Sequence, residues 1–436
     1  MNNNTAVSKE AATPARWYQG VTRYQWLVLV IASAGWVFDA FEGQVFNTTR
    51  THLLTDILHA TPDAPEVRRW GDVFLGVFLA GGAFGGILFG SLADRWGRKP
   101  IMVVTILFYS VFAGLTYFAT ELWQIGTLRF LVAMGVGGEW AVAATLVAEV
   151  FPKHARVHAS GIFHATSTIG TWVAITVGLA VGTQWRYAYL ISVLPAMLVF
   201  WVWSSVKEPE SWQHARDKAA TGEGGKLGSF RELFFHRVWG PRALLGMVLA
   251  AVGLGTFWSV TAAGQDLMLD LLRRGGMDSV EAAEKALLAY GVETIGMAVG
   301  LLSFGPLCVR LGRKKTFILL QVLSLIIVPI TCYLPTTYTQ LLLLLPLMGF
   351  ATLSIHAGFA IYFPELFPNH LRSTAAGFCF NAGRLLASPV LIFSGWLKAL
   401  PGMNLQSAIT LMSLLFVIGI IVVFFLPETK DKPLPE

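Results

Sequence analysis

Charge is scarce in this chain, and so is cysteine. Asp, Glu, Lys and Arg make up 13% of the residues, where an ordinary soluble domain carries about 25%. Hydrophobic residues make up 55% of 436 positions, with a mean hydropathy of +0.60. A soluble core of that size does not bury so much apolar surface; a bilayer accommodates it. The three cysteines, Cys308, Cys332 and Cys379, are scattered in or beside apolar runs. That pattern excludes a disulfide framework and offers no metal-ligand spacing. No G-x-x-x-x-G-K-[ST] loop is present, so ATP-driven transport is not expected. No H-E-x-x-H and no nucleophile–base cluster at helical spacing is present, so neither an enzyme nor a bound cofactor is expected. No cleavable signal peptide is expected, since the polar stretch Met1 to Gln25 precedes the first apolar run. The net charge of +6 and pI near 9.2 do not point to nucleic acid, because the basic residues lie between apolar runs and not along one stripe.

What the chain does have is apolar runs of about 20 residues, enough to cross a bilayer core of roughly 30 Å as helix. They lie near 26–46, 73–92, 100–119, 123–148, 157–182, 186–205, 243–264, 287–308, 316–334, 339–361, 374–397 and 405–426. None shows the alternation of a barrel strand, so an all-α membrane protein of twelve spanning helices is expected. The second run carries Gly81, Gly82, Gly85, Gly86 and Gly90, which suits close helix packing in lipid. An even count puts both termini on one side. With the N-terminus inside, the inner segments hold 22 of the 32 Lys and Arg, the outer ones 8, and Arg129 and Arg384 lie within helices. The positive-inside rule then places both termini in the cytoplasm and the chain in the inner (cytoplasmic) membrane. The expected organisation is a tail at 1–25, a six-helix half at 26–205, a flexible cytoplasmic linker at 206–242, a second half at 243–426 and a tail at 427–436. That linker is too short to be the extra domain of a sensor.

The halves repeat. Gly90-Ser-Leu-Ala-Asp-Arg-Trp-Gly-Arg-Lys99 recurs as Gly305-Pro-Leu-Cys-Val-Arg-Leu-Gly-Arg-Lys314, an offset of 215. Glu149-Val-Phe-Pro-Lys-His-Ala-Arg156, with Gly161, recurs as Glu365-Leu-Phe-Pro-Asn-His-Leu-Arg372, with Gly377, an offset of 216. Pro209-Glu-Ser211 recurs as Pro427-Glu-Thr429, an offset of 218. Three landmarks in order at nearly constant offset indicate a duplicated six-helix unit with parallel repeats.

The Gly90–Lys99 segment resembles the G-x-L-a-D-r-x-G-R-k loop of the major facilitator superfamily. Arg129 with Gly135, Gly137, Gly138 and Glu139 resembles its fourth-helix signature. Pro209-Glu-Ser and Pro427-Glu-Thr-Lys430 resemble marks of the sugar-porter branch. Gly138-Glu-Trp140, Glu149, Pro152–Arg156 and Glu208–Trp212 are closer to proton-coupled organic-acid branches, sialic acid porters and aromatic-acid porters among them. The resemblance spans about Arg23 to Lys430. It implies two pseudo-symmetric halves around a midplane cavity. It also implies alternating access gated by the loop residues Asp94, Arg95, Arg98, Glu149, Arg156, Arg310, Arg313, Glu365 and Arg372. One departure stands out: Val309 occupies the position of Asp94 in the second loop, so the two gates are not equivalent. On physical grounds alone, Asp94 among basic residues at a helix end suits a contact made in one conformation and released in another. The alternative is a plain topology-setting basic loop.

Ionisable residues inside a membrane are costly and mark pathways. Asp39 and Glu42 share a face of the first helix. Arg129 and Glu139, nearly three turns apart, share a stripe of the fourth. Glu42 falls where sugar-porter proton symporters carry an acid that works against the fourth-helix Arg, here Arg129. An Arg moving towards or away from a desolvated carboxyl switches its proton affinity, so proton coupling is expected at Glu42 with Arg129. Asp39 stands as partner and Glu139 as the alternative acid; a static ion pair is the plainer reading. Arg384 and Asn381, one turn apart in the eleventh helix, are candidate substrate ligands, because a guanidinium in lipid suits a carboxylate. A structural partner for Arg384 is equally compatible. His164 and His356 either line the pathway or make polar helix contacts. Glu293 is expected in an outer vestibule. Trp36, Trp140, Trp172 and Trp258 serve either substrate stacking or packing. The expectation is a monomeric transporter of a small organic anion, coupled to protons, embedded in lipid and without nucleic acid. A porter of sugars or other neutral metabolites, or a drug or metabolite exporter, is the alternative.

Overall fold

The computed structural model describes residues 16–61, 64–223, 225–398 and 400–435; most of the expected N-terminal tail, 1–15, lies outside the described residues. Among these, twelve helices are long and apolar enough to span a bilayer. They are α1 (Arg23–Leu58), α2 (Arg69–Trp96), α3 (Arg98–Phe118), α4 (Leu122–Val150), α5 (Lys153–Val181) and α6 (Arg186–Ser205), then α7 (Trp239–Arg274), α8 (Lys285–Leu311), α9 (Arg313–Tyr333), α10 (Tyr338–Leu366), α11 (Asn369–Lys398) and α12 (Leu405–Phe425). Large apolar side chains such as Phe84, Leu179, Phe200, Ile392 and Phe424 point outward, a surface that lipid satisfies and water does not. Several helices outrun their apolar cores. The first run seemed to end near 46, yet α1 continues to Leu58. Thr48 and Thr49 bond back to the Val45 carbonyl at 3.0 and 2.7 Å, and Phe46, Leu53 and Leu54 stay buried, so helical periodicity persists under a polar exterior. The seventh run likewise extends to Arg274 and contains a π-helical turn at Phe257–Thr261.

The duplication is visible in how glycines admit neighbouring backbones. A Cβ on Gly81 or Gly85 of α2 would meet the carbonyls of Phe130 and Met134 in α4 at 2.3 and 2.0 Å. On Gly296 and Gly300 of α8 it would meet those of Pro346 and Phe350 in α10 at 2.0 and 2.5 Å. The pairs are related by the same 215 and 216 residues as the loop motifs. Each half thus has an equivalent helix pair at backbone contact, a separation only glycine permits.

A second repeated device sits at the face carrying both termini. Arg98 grips Glu149 through two bonds of 3.0 and 2.9 Å, and Arg313 grips Glu365 at 2.9 and 2.6 Å. Glu208 accepts the amides of Arg98 and Lys99, both at 2.9 Å. Glu428 accepts those of Arg313 and Lys314 at 3.0 and 3.1 Å. Each carboxylate caps a helix start behind a glycine of positive φ, Gly97 at 107° and Gly312 at 90°. There a Cβ would come within 2.5 and 2.7 Å of the carboxylate, so glycine is required twice over. This corrects the third sequence landmark. The equivalent acids are Glu208, before Pro209, and Glu428, after Pro427, a register two residues away from the matched Pro-Glu pairs. Their electrostatics differ. Burial raises the Glu208 carboxyl despite its amide partners. At Glu428 burial is outweighed by amides of Lys430, Arg313, Lys314 and Thr429, which hold it below the ordinary value.

The segment 206–242, expected to be a flexible linker, carries ordered elements among its described residues. It carries short helices at Glu210–Ala220 and Phe230–Phe235. Buried Trp212 donates to the Asp94 carbonyl at 2.8 Å, and His370 meets Glu232 at 2.7 Å. An aromatic anchor and several polar ties, among them Ser91 to the Gly228 carbonyl at 2.8 Å, hold a stretch whose glycines alone read as loose.

Candidate functional site

Between the halves lies a cavity of about 170 Å³. Its wall is largely apolar, with Trp36 from α1, Phe78 from α2, Phe257 and Trp258 from α7 and Phe380 from α11. Few ionisable groups reach it: Asp39, His164, Tyr290, His356 and Arg384. An apolar chamber with a small number of convergent polar groups is the usual form of a small-molecule site.

Arg384 lies in the hollow of Gly82, where a Cβ would come 2.1 Å from Nη1. Its guanidinium is 5.3 Å from the Phe380 ring centre, and Nη1 has no hydrogen-bond partner among the described residues. Asp39 faces the same cavity and lies within electrostatic reach of Arg384, yet no ion pair within 4 Å joins them. Both Asp39 oxygens and both Glu139 oxygens are buried with no hydrogen bond of standard geometry, and the Tyr109 hydroxyl adjoins Glu139. The two carboxyls interact directly, with Glu139 seated against Gly35, where a Cβ would meet Oε1 at 1.8 Å. Sequence spacing did not bring Asp39 and Glu139 together; the glycine one turn before Asp39 was the available signal.

The expected Glu42–Arg129 carboxylate pair is not formed. Arg129 donates to the Glu42 backbone carbonyl at 3.3 Å, while Phe46 and Phe78 occupy the guanidinium at 4.4 and 4.2 Å from their ring centres. Cation–π contacts take up the charge, and Glu42 is buried outside the cavity lining. Asn381 also departs from expectation. It lies outside the lining and donates to the Gly137 carbonyl at 3.2 Å, lodged in the hollow of Gly86. Its geometry joins the halves and does not present an amide to the cavity. His164 and His356, one from each half, stack with ring centres 6.5 Å apart at the cavity wall. Trp140 donates to His164 Nδ1 at 3.4 Å and stacks on Phe380 at 3.9 Å. Trp36 and Trp258 line the cavity; Trp172 instead packs on Gly291 of α8. Glu293, expected in a vestibule, is fully buried between α7, α8 and α10.

The loop residues form one latch and half of another. Asp94 accepts the Ser373 and Thr374 amides at 3.2 and 2.8 Å and the Thr374 hydroxyl at 2.6 Å, all at the start of α11. It also pairs with Arg98 at 3.0 Å. Arg372 crosses to Glu149 at 2.9 Å. In the second repeat Val309 bonds nothing, and Arg156, the counterpart of Arg372, reaches only the Phe151 carbonyl at 3.4 Å. Glu365 is engaged by Arg313 and, at 2.5 Å, Thr429. Arg95 meets the Gly228 carbonyl at 3.3 Å, and Arg310 is exposed, contributing its own carbonyl to Lys430 at 3.0 Å. Among the described residues, the hydrogen bonds joining the halves run from the terminus-bearing face to Asn381 and no further. The polar ties between the halves therefore collect on that side of the cavity.

Comparison with known proteins agrees with this architecture. The family "Sugar (and other) transporter" matches residues 19–225, and "Major Facilitator Superfamily" matches 277–436. A probable 4-methylmuconolactone transporter of Cupriavidus pinatubonensis is 30% identical over 95% of this chain and 93% of its own length. A sialic acid transporter of Escherichia coli is 28% identical over 86% and 88%. The solved proton:xylose symporter XylE superposes with a TM-score of 0.77 at 18% identity, over 94% of this chain and 98% of that one, a likeness of fold. Twelve spanning helices in two repeated halves, a cavity at their seam and these full-length relatives lead to one conclusion: the chain is a multi-pass metabolite transporter, not an enzyme, and belongs to the major facilitator superfamily.

Proposed function

We propose that this transporter carries a small organic anion across the cytoplasmic membrane, coupled to protons, with both termini in the cytoplasm. The observation that carries the reading is Arg384, a cavity-lining guanidinium whose Nη1 is buried without a partner. A substrate carboxylate supplies one, through charge-assisted hydrogen bonds of about 1.5–3 kcal/mol each. Coupling follows from the acids beside it. Two carboxyls in contact and away from water do not both ionise. With a proton on the Asp39–Glu139 pair, Arg384 is free for the substrate; with the proton gone, Asp39 competes for it. Proton and anion therefore load together, and the Asp94–Arg98–Glu149–Arg372 latch opens to release both. Glu42 and Arg129 act in this scheme as neighbours that set the field around the pair.

Binding to the purified chain tests the anion. Carboxylates should bind, while their amides and neutral hexoses bind about ten- to a hundredfold more weakly. Arg384→Ala should abolish that preference. Unchanged carboxylate affinity in Arg384→Ala, or hexose binding without acid binding, would refute the reading. For orientation, cysteines in 213–240 should react only from the cytoplasm and those in 266–284 only from outside.

A further inference from the structure

One buried acid takes no part in this scheme. Glu293 of α8 is fully buried, and neither carboxyl oxygen has a hydrogen-bond partner among the described residues. Its hollow is made by two glycines. A Cβ at Gly264 of α7 would come 2.3 Å from Oε2, and one at Gly349 of α10 would come 3.1 Å from the Glu293 Cγ. The Leu345 side chain lies beside Gly264. The titratable neighbour is Tyr290, one turn earlier on the same helix; α7 and α10 bring no charged side chain to the carboxyl.

The position matters because of what adjoins it. Gly264 follows the π-helical turn Phe257–Thr261, a backbone form that recurs at functional sites. Phe257 and Trp258 of that turn line the cavity, as do Tyr290 and Thr294 on either side of Glu293. The acid therefore sits directly behind a cavity wall, at the joint between that wall and α7. An ionised carboxylate without donors is strongly disfavoured there, and the glycine hollow leaves no room for water while α7 is in place.

We propose that Glu293 is a second protonation site of the transport cycle, neutral while α7 packs on α8 and ionised when Gly264 moves away. The carboxyl O–H bond breaks as water enters the hollow, and the proton passes to that water; repacking of α7 reverses the step. The proposal rests on the transport reading above but not on coupling at Asp39.

Carboxyl-region infrared spectroscopy of the full chain in lipid vesicles tests it. A protonated-carboxyl band should be present at neutral pH, exchange slowly in heavy water and vanish in Glu293→Gln, a neutral replacement of the same shape. Gly264→Ala keeps the acid but places a methyl 2.3 Å from Oε2, so the carboxyl must leave its hollow. That variant should move the band's midpoint towards the ordinary glutamate value by about one pH unit or more. A spectrum unchanged by Glu293→Gln, or a midpoint unmoved by Gly264→Ala in folded protein, would overturn the proposal. Asp39→Asn and Glu139→Gln report on the other pair and should leave the Glu293 band in place, so the two readings fail separately.

Discussion

At the scale of residues, the site is defined by side chains lodged in glycine hollows. Gly82→Ala is the sharpest consequence. The new methyl would come 2.1 Å from Arg384 Nη1 and must displace the guanidinium. Carboxylate affinity should fall about ten- to a hundredfold, as expected for losing a charge-assisted contact, with binding of neutral analogues unchanged. The capping acids give a pH prediction. Burial raises Glu208, so it takes up a proton at a higher pH than Glu428, whose four amides keep it charged to below the ordinary glutamate range. The folded state favours the proton at Glu208, so acidification subtracts no stability there. At Glu428 the contribution is present above the unfolded value and lost as pH falls through the depressed folded one. Carboxyl titration in Glu208→Gln and Glu428→Gln should show this order; the reverse order would contradict the assigned environments.

At the scale of elements, the twelve spans and the duplication were legible in the sequence, because apolar length and motif offset report directly on a bilayer and a repeat. The lengths of α1 and α7 were not legible, since their ends stay helical through tertiary packing after the apolar run stops. Nor was the pairing of Asp39 with Glu139 in place of Glu42 with Arg129. Spacing along one helix says which residues share a face but not which helix meets it, and two phenylalanines took the guanidinium. The Val309 departure was legible, and its consequence is now physical: of the two seams, α2–α11 has a carboxylate clamp and α5–α8 has none. Asp94→Asn should therefore loosen that seam, raising labelling of a cavity cysteine at position 168 from the terminus-bearing side several-fold. Val309→Asn should leave labelling as it was. Equal effects would mean that the clamp is not what holds that face together.

At the scale of the whole molecule, two repeated halves meet at a cavity, with the charges that bridge them collected on the face that carries the termini. In the proposed cycle such an arrangement has two packings, biased by the occupancy of Arg384 and the proton on the acids beside it. The account stands or falls on whether a proton gradient drives an anion through this cavity. The measurement is accumulation of labelled carboxylates by vesicles containing the chain under an imposed pH gradient, with and without an uncoupler. Accumulation above equilibrium that collapses with the uncoupler, and that Asp39→Asn abolishes while exchange between loaded vesicles persists, is the predicted result. Accumulation indifferent to the uncoupler, or undiminished in Asp39→Asn, would contradict it.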